Sequence, residues 1–260
     1  MSSSGGVTID LRNTVSVVIG ASEGIGAAIA VGLAKAGSML ILGGRNAGRM
    51  ASTVDRVRDV GGVAHVENVD VREPDSVQNF CRAVVEKHSA PTILVNSMGG
   101  TLIKELRDVE VDEWDDLHNT HLRGSFLTCQ AFGNAMAEKG YGKIINLSSF
   151  AAFRGNHFRG VYAVAKAGLN QLTSVLASEW GPFGIRVNGI APVTTTTPRV
   201  TKQLATEPER EVKLNSRIPL GRIATPEDMV GPALFLASSL SDFVSGQTLV
   251  VDGGLMMTPG

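Results

Sequence analysis

Val15-Ser16-Val17-Val18-Ile19-Gly20-Ala21-Ser22-Glu23-Gly24-Ile25-Gly26 decides how this chain is read. A short apolar run, rich in β-branched residues, passes straight into a glycine cluster, and a helical pattern follows from Ala27. Glycines at a strand-to-helix turn let backbone approach a pyrophosphate, while the helix start offers free N–H groups and a positive dipole end. Gly20, Ser22, Glu23, Gly24, Ile25 and Gly26 are therefore candidate dinucleotide contacts; the bland alternative is a tight turn without a ligand. Three residues separate Gly20 from Gly24, where the standard dinucleotide fingerprint has one. No Gly-Lys-Ser/Thr ending follows, which argues against a P-loop nucleotidase.

The alternation continues along the chain. Apolar runs at 15–19, 39–42, 63–69, 92–95, 143–147, 185–190 and 248–251 alternate with helix-length segments at 24–36, 46–60, 74–87, 111–139, 161–180 and 226–237. Several runs are continuously apolar, as in strands covered on both faces. The pattern predicts a single-domain α/β Rossmann fold: a doubly wound parallel sheet of about seven strands with helices on both faces. Residues 1–9 read as a flexible tail and 10–260 as one domain. Residues 194–217, rich in Thr and charge, interrupt the rhythm and read as a substrate-binding lid or a surface excursion.

The 260 residues carry a formal net charge of −1 and are 43% hydrophobic, enough for one large core. No basic excess points to nucleic acid, and no apolar run has membrane-spanning length. Cys81 and Cys129 lack metal-ligand neighbours; no metal site is expected, and reduced thiols suit a cytoplasmic protein.

Past mid-chain, Tyr162 and Lys166 stand four residues apart in Val161-Tyr162-Ala163-Val164-Ala165-Lys166. On a helix they share a face. A nearby ammonium lowers a phenol's pKa, which makes the pair an acid/base device for a carbonyl or alcohol. Taken alone, this spacing more often marks an ordinary helix surface.

Gly-x-x-x-Gly-Ile-Gly followed by Tyr-x-x-x-Lys resembles the classical short-chain dehydrogenase/reductase family. Further matches occur in order over residues 10–254: Asp70-Val71, Asn96-Ser97-Met98-Gly99, Asn146-Leu147-Ser148-Ser149, Arg186-Val187-Asn188-Gly189-Ile190-Ala191-Pro192 and Asp252-Gly253-Gly254. The resemblance implies an oxidoreductase that moves hydride between a nicotinamide and a carbonyl or secondary alcohol. Tyr162 would be the acid/base, Lys166 would lower its pKa and hold the ribose, and Ser149 would orient the substrate oxygen. It further implies cofactor contacts at Asp70, Val71, Asn96, Gly99, Pro192, Thr195 and Thr197.

The chain departs from the family at Ile19, Ser97, Met98 and Val193. His121 stands where the family often has a catalytic Asn, three residues before Gly124. A histidine there can support a relay water or titrate and carry the proton itself. If the relay has decayed, the protein is instead a dinucleotide-binding sensor or scaffold.

Gly44 occupies the place of the acid that selects NAD, and Arg45 follows it. Without that carboxylate a 2′-phosphate is not repelled, and Arg45 can pair with it. NADP(H) is therefore favoured, with NAD(H) as the alternative that Glu23 argues for. Between Ser149 and Tyr162, residues 150–159 mix aromatics with Arg154, His157 and Arg159. Arg154, His157 and Phe158 are candidate substrate contacts for a polar or anionic carbonyl compound. The C-terminal stretch resembles 3-oxoacyl-carrier-protein reductases and sugar or polyol dehydrogenases, which implies a homotetramer or homodimer.

Overall fold

The computed structural model describes residues 8–155 and 157–258. Seven strands form one sheet: β1 (Val15–Ile19), β2 (Met39–Gly44), β3 (Ala64–Asn68), β4 (Ile93–Asn96), β5 (Gly142–Leu147), β6 (Ile185–Pro192) and β7 (Thr248–Val251). Their order is β3-β2-β1-β4-β5-β6-β7, and every neighbouring pair is parallel. The strand order reverses between β1 and β4. A ligand crevice is expected there, beyond the carboxyl ends of the strands.

The helices are α1 (Gly24–Lys35), α2 (Ala51–Asp59), α3 (Pro74–His88), α4 (Val111–His118), α5 (Gly124–Lys139), α6 (Gly160–Trp180), α7 (Pro198–Ala205), α8 (Pro208–Arg217) and α9 (Val230–Ala237). Side chains of β1 alternate between two cores, as the pleat dictates. Val15, Val17 and Ile19 join Phe80, Phe132 and Met136 on one face. Val18 joins Ile29, Leu33 and Leu236 on the other. This two-sided burial explains why the strand reads as an unbroken apolar run.

Three elements differ from the sequence reading. The expected helix over 111–139 is divided by a π-helical turn, Asn119–Arg123. Just after it, Ser125 Oγ donates to His121 O at 2.7 Å, and Thr128 Oγ1 shares its one proton between Gly124 O at 3.0 Å and Asn96 Oδ1 at 2.9 Å. Hydroxyls that bond back in this way compete with the regular helical ladder. The segment 194–217 contains α7 and α8, each opened by a proline in its first turn. Of the expected tail, residues 1–7 lie outside the described residues, whereas Ile9 packs against the core.

Candidate active site

The carboxyl ends of the strands open into a cleft of about 1340 Å³. That exceeds the usual range for a drug-sized ligand, roughly 300–1,000 Å³, and suits a dinucleotide with a second small molecule. The glycine loop forms one end. Gly20 has φ +82, and a Cβ there would strike the Ser97 backbone. At Gly26 a Cβ would collide with Gly20 O. The turn therefore closes only on bare backbone, and the start of α1 faces the cleft.

Almost all residues nominated from sequence line this cleft. They are Gly20, Ser22, Glu23, Gly24, Ile25, Gly26, Gly44, Arg45, Asp70, Val71, Gly99, His121, Ser149, Arg154, His157, Tyr162, Lys166, Pro192, Thr195 and Thr197. Two do not. Asn96 is buried beneath the cleft, where its Nδ2 donates to Asn146 Oδ1 at 2.9 Å and its Oδ1 accepts from Thr128 Oγ1 at 2.9 Å. It joins β4 to β5 and to α5. Phe158 has φ +61, and its carbonyl accepts from Lys104 N at 2.9 Å. That backbone turn leaves its ring 45% exposed and off the cleft wall.

Ser149 stands two residues beyond β5 and caps the turn Phe150–Phe153, its Oγ accepting from Ala151 N at 3.1 Å. The capping role and the cleft position coexist. Tyr162 and Lys166 sit one turn apart on α6, and the Lys166 ammonium nitrogen lies 5.8 Å from the Tyr162 ring centroid. Lys166 is 4% exposed and donates to Leu147 O at 2.5 Å, at the end of β5. Burial lowers its pKa to about 7. Burial also raises the Tyr162 phenol, against an opposing pull from the Ser149 hydroxyl and the charges of Arg159 and Arg199. Arg159 and Arg199 both favour the phenolate. Lys166 was expected to act there, but desolvation disfavours its own charge.

His121 is 3% exposed on the π-helical turn and meets Tyr162 edge to face, with ring centroids 5.3 Å apart. Its Nε2 lies 3.0 Å from Gly100 O and 3.1 Å from Gly100 N, so either tautomer ties the ring to that backbone. Nδ1 is buried with no hydrogen-bond partner among the described residues. A Cβ at Gly99 would collide with the imidazole. Burial first, and the Lys166 charge second, push the His121 pKa well below the ordinary histidine value. Both effects favour the neutral ring.

Sequence reasoning missed several basic residues. Arg72 holds Asp70 through Nε at 3.0 Å and Nη2 at 2.7 Å and reaches Asp116 at 3.0 Å. Its hydrogen bonds lower the Asp70 pKa. Arg49 lies 3.7 Å from Glu23. Arg199, Arg210 and Arg217 face the cleft from α7 and α8. The last two stand seven apart with Leu214 between them, a one-face helical spacing that was visible in the sequence. The departures at Met98 and Val193 are absorbed by the cores: Met98 is 9% exposed within one, and Val193 packs against the other.

Comparison with known proteins agrees with this geometry. Residues 20–256 match the family model described as enoyl-(acyl carrier protein) reductase, and the chain belongs to the short-chain dehydrogenase/reductase family. It is an oxidoreductase of that family, whose reaction is NAD(P)-dependent hydride transfer. Similar proteins include the 2-dehydro-3-deoxy-D-gluconate 5-dehydrogenase of Escherichia coli, 34% identical over 94% of this chain and 96% of its own length. The L-rhamnose 1-dehydrogenase (NAD(P)(+)) of Azotobacter vinelandii is 35% identical over 93% and 96%. A gluconate 5-dehydrogenase from Burkholderia cenocepacia, solved with NADP and tartrate, superposes with a TM-score of 0.92. It is 34% identical, and the match covers 96% of this chain and 98% of that one.

Proposed function

We propose that this protein is an NADP-preferring dehydrogenase/reductase that interconverts a secondary alcohol and a carbonyl on a small polyhydroxylated substrate. One observation carries the reading: a single cleft joins the glycine loop to Ser149, Tyr162 and Lys166. The residues present fit a dinucleotide. Gly20 and Gly26 leave no room for side chains, so loop backbone and the α1 start are free to hold a pyrophosphate. Gly44 offers no carboxylate beside the ribose, and Arg45 lines the same wall. Glu23, which spoke for NAD, faces Arg49 across 3.7 Å. The related gluconate 5-dehydrogenase was solved with NADP, which supports the same preference here. When bound, the cofactor supplies or accepts the hydride.

The chain's own groups handle the proton. Tyr162, kept protonated by burial, donates its phenolic proton to the substrate oxygen in the reductive direction. Ser149 hydrogen-bonds that oxygen and fixes its place. Lys166 holds the ribose and, with a pKa of about 7, takes or gives a proton readily near neutrality. His121 holds the Gly99–Gly100 backbone beside Tyr162. Helices α7 and α8 act as the lid over the substrate. Exposed Phe126, Val175 and Phe243, on α5, on α6 and just before β7, suit a homotetramer or homodimer. Buried, unpaired Cys81 and Cys129 suit the cytoplasm. Among the described residues, no helix is long and apolar enough to cross a membrane.

The test is a fluorescence titration with NADPH and NADH in parallel, followed by turnover on sugar, polyol and sugar-acid panels. Tighter NADPH binding and hydride transfer to or from a panel member are expected. Binding without turnover on any panel would favour a sensor or scaffold instead.

A further inference from the structure

The chain is nearly neutral, yet the charges facing the cleft are unevenly matched. Each lining carboxylate already has a basic partner: Glu23 with Arg49 at 3.7 Å, Asp70 and Asp116 with Arg72 at 2.7 and 3.0 Å, and Glu113 with Lys104 at 2.7 Å. Beside Tyr162 the balance is reversed. Arg159 and Arg199 have no carboxylate partner among the described residues, and Arg210 has only Glu207, at 3.0 Å.

These three arginines come from different elements. Arg159 precedes α6, Arg199 lies in α7 and Arg210 in α8. They converge nonetheless. All three line the same cleft as Tyr162, near enough for Arg159 and Arg199 to act electrostatically on the phenol and for Arg199 and Arg210 to act on Arg159. Arg159 is only partly exposed. A desolvated guanidinium among like charges is costly unless an anion joins it. Guanidinium forks match carboxylate and phosphoryl oxygens bidentately. The glycine loop, which serves the dinucleotide's phosphates, is a separate wall of the cleft.

We infer that Arg159, Arg199 and Arg210 form an anion subsite beside Tyr162, which takes the carboxylate or phosphoryl group of a hydroxy- or oxo-acid substrate and draws α7 and α8 over it. This rests on the dehydrogenase reading and narrows it from polyhydroxylated substrates in general to anionic ones.

Calorimetric titration of the protein loaded with NADP tests it. D-Gluconate is compared with sorbitol, its neutral counterpart, and sorbitol 6-phosphate forms the phosphoryl arm. At least one anion should bind roughly tenfold more tightly than sorbitol, and the tighter of the two identifies the group. Arg159→Gln, and separately the pair Arg199→Gln and Arg210→Gln, should remove most of that advantage. Arg159→Lys should restore part of it. Equal binding of sorbitol and both anions overturns the inference. So does an anion preference that survives both glutamine variants. An equal loss of NADPH affinity in those variants would assign the arginines to the cofactor and overturn it as well. The parallel NADPH titration reads the dehydrogenase proposal separately. Repeating the anion comparison on the protein without NADP keeps its result readable where the dinucleotide does not bind.

Discussion

Desolvation acts on Tyr162 and Lys166 with opposite sign, raising the phenol and lowering the ammonium, because each neutral form is favoured. Alcohol oxidation needs the phenolate, so its rate should climb with pH through the alkaline range, while carbonyl reduction should hold until the phenol titrates. Tyr162→Phe should reduce turnover about 10²- to 10⁴-fold and leave the NADPH titration close to wild type. Near-normal turnover would remove Tyr162 from the chemistry. Lys166 also makes a stability prediction. Its folded pKa of about 7 lies below the free value of 10.5. Between those limits the unfolded chain binds the extra proton, so stability should rise with pH, by up to about 1.4 kcal/mol per pH unit. Denaturant melts at pH 7 and 9 should show the gain, and Lys166→Met should flatten it. At Gly44 a Cβ would meet only Met50, at 3.6 Å, so a side chain fits. Gly44→Asp should therefore exchange NADPH preference for NADH, read as a reversed ratio of the two dissociation constants.

The π-helical turn is the element that most shapes the site, since it carries His121 inward under Gly99 and Gly100. His121→Asn shortens the side chain, loses the edge-to-face contact with Tyr162 and leaves a void. Stability should fall by about 1–3 kcal/mol while turnover stays within about tenfold of wild type. A collapse of turnover with unchanged melting would give the imidazole a part in proton transfer. This turn also marks where sequence reading ends. Strands such as Val15–Ile19 were legible because both faces of the sheet are covered, and the glycine loop was legible because its backbone contacts exclude side chains. The π-helical turn was not, because Ser125 and Thr128 hydroxyls bonding back to the chain leave no mark on hydrophobic periodicity. The side-chain bonds of Asn96 were hidden for a related reason. Its neighbours Cys129 and Asn146, from α5 and β5, meet it only in the folded chain. Arg72, Arg199, Arg210 and Arg217 were hard to place for a different reason: spacing shows that two of them share a helix face, but a solvent-facing arginine and one turned toward a cleft look alike in sequence.

At the scale of the whole molecule, a chain of net charge −1 places Arg159, Arg199 and Arg210 in the cleft that holds Tyr162. Such a cleft focuses an attractive field for anions, and association should weaken as salt rises. The cleft also lies on a seam. Strands β1 and β4 are neighbours in the sheet, with Ser16 opposite Ile93, although the two stand 77 positions apart in sequence. Closing so long a loop is slow, and the dinucleotide has nowhere to sit until it is done. The cofactor should therefore leave the refolding rate unchanged and slow unfolding in proportion to its affinity, which stopped-flow traces with and without NADP would read. A newly made chain must find this topology unaided, and the cofactor then acts as a latch on the finished sheet.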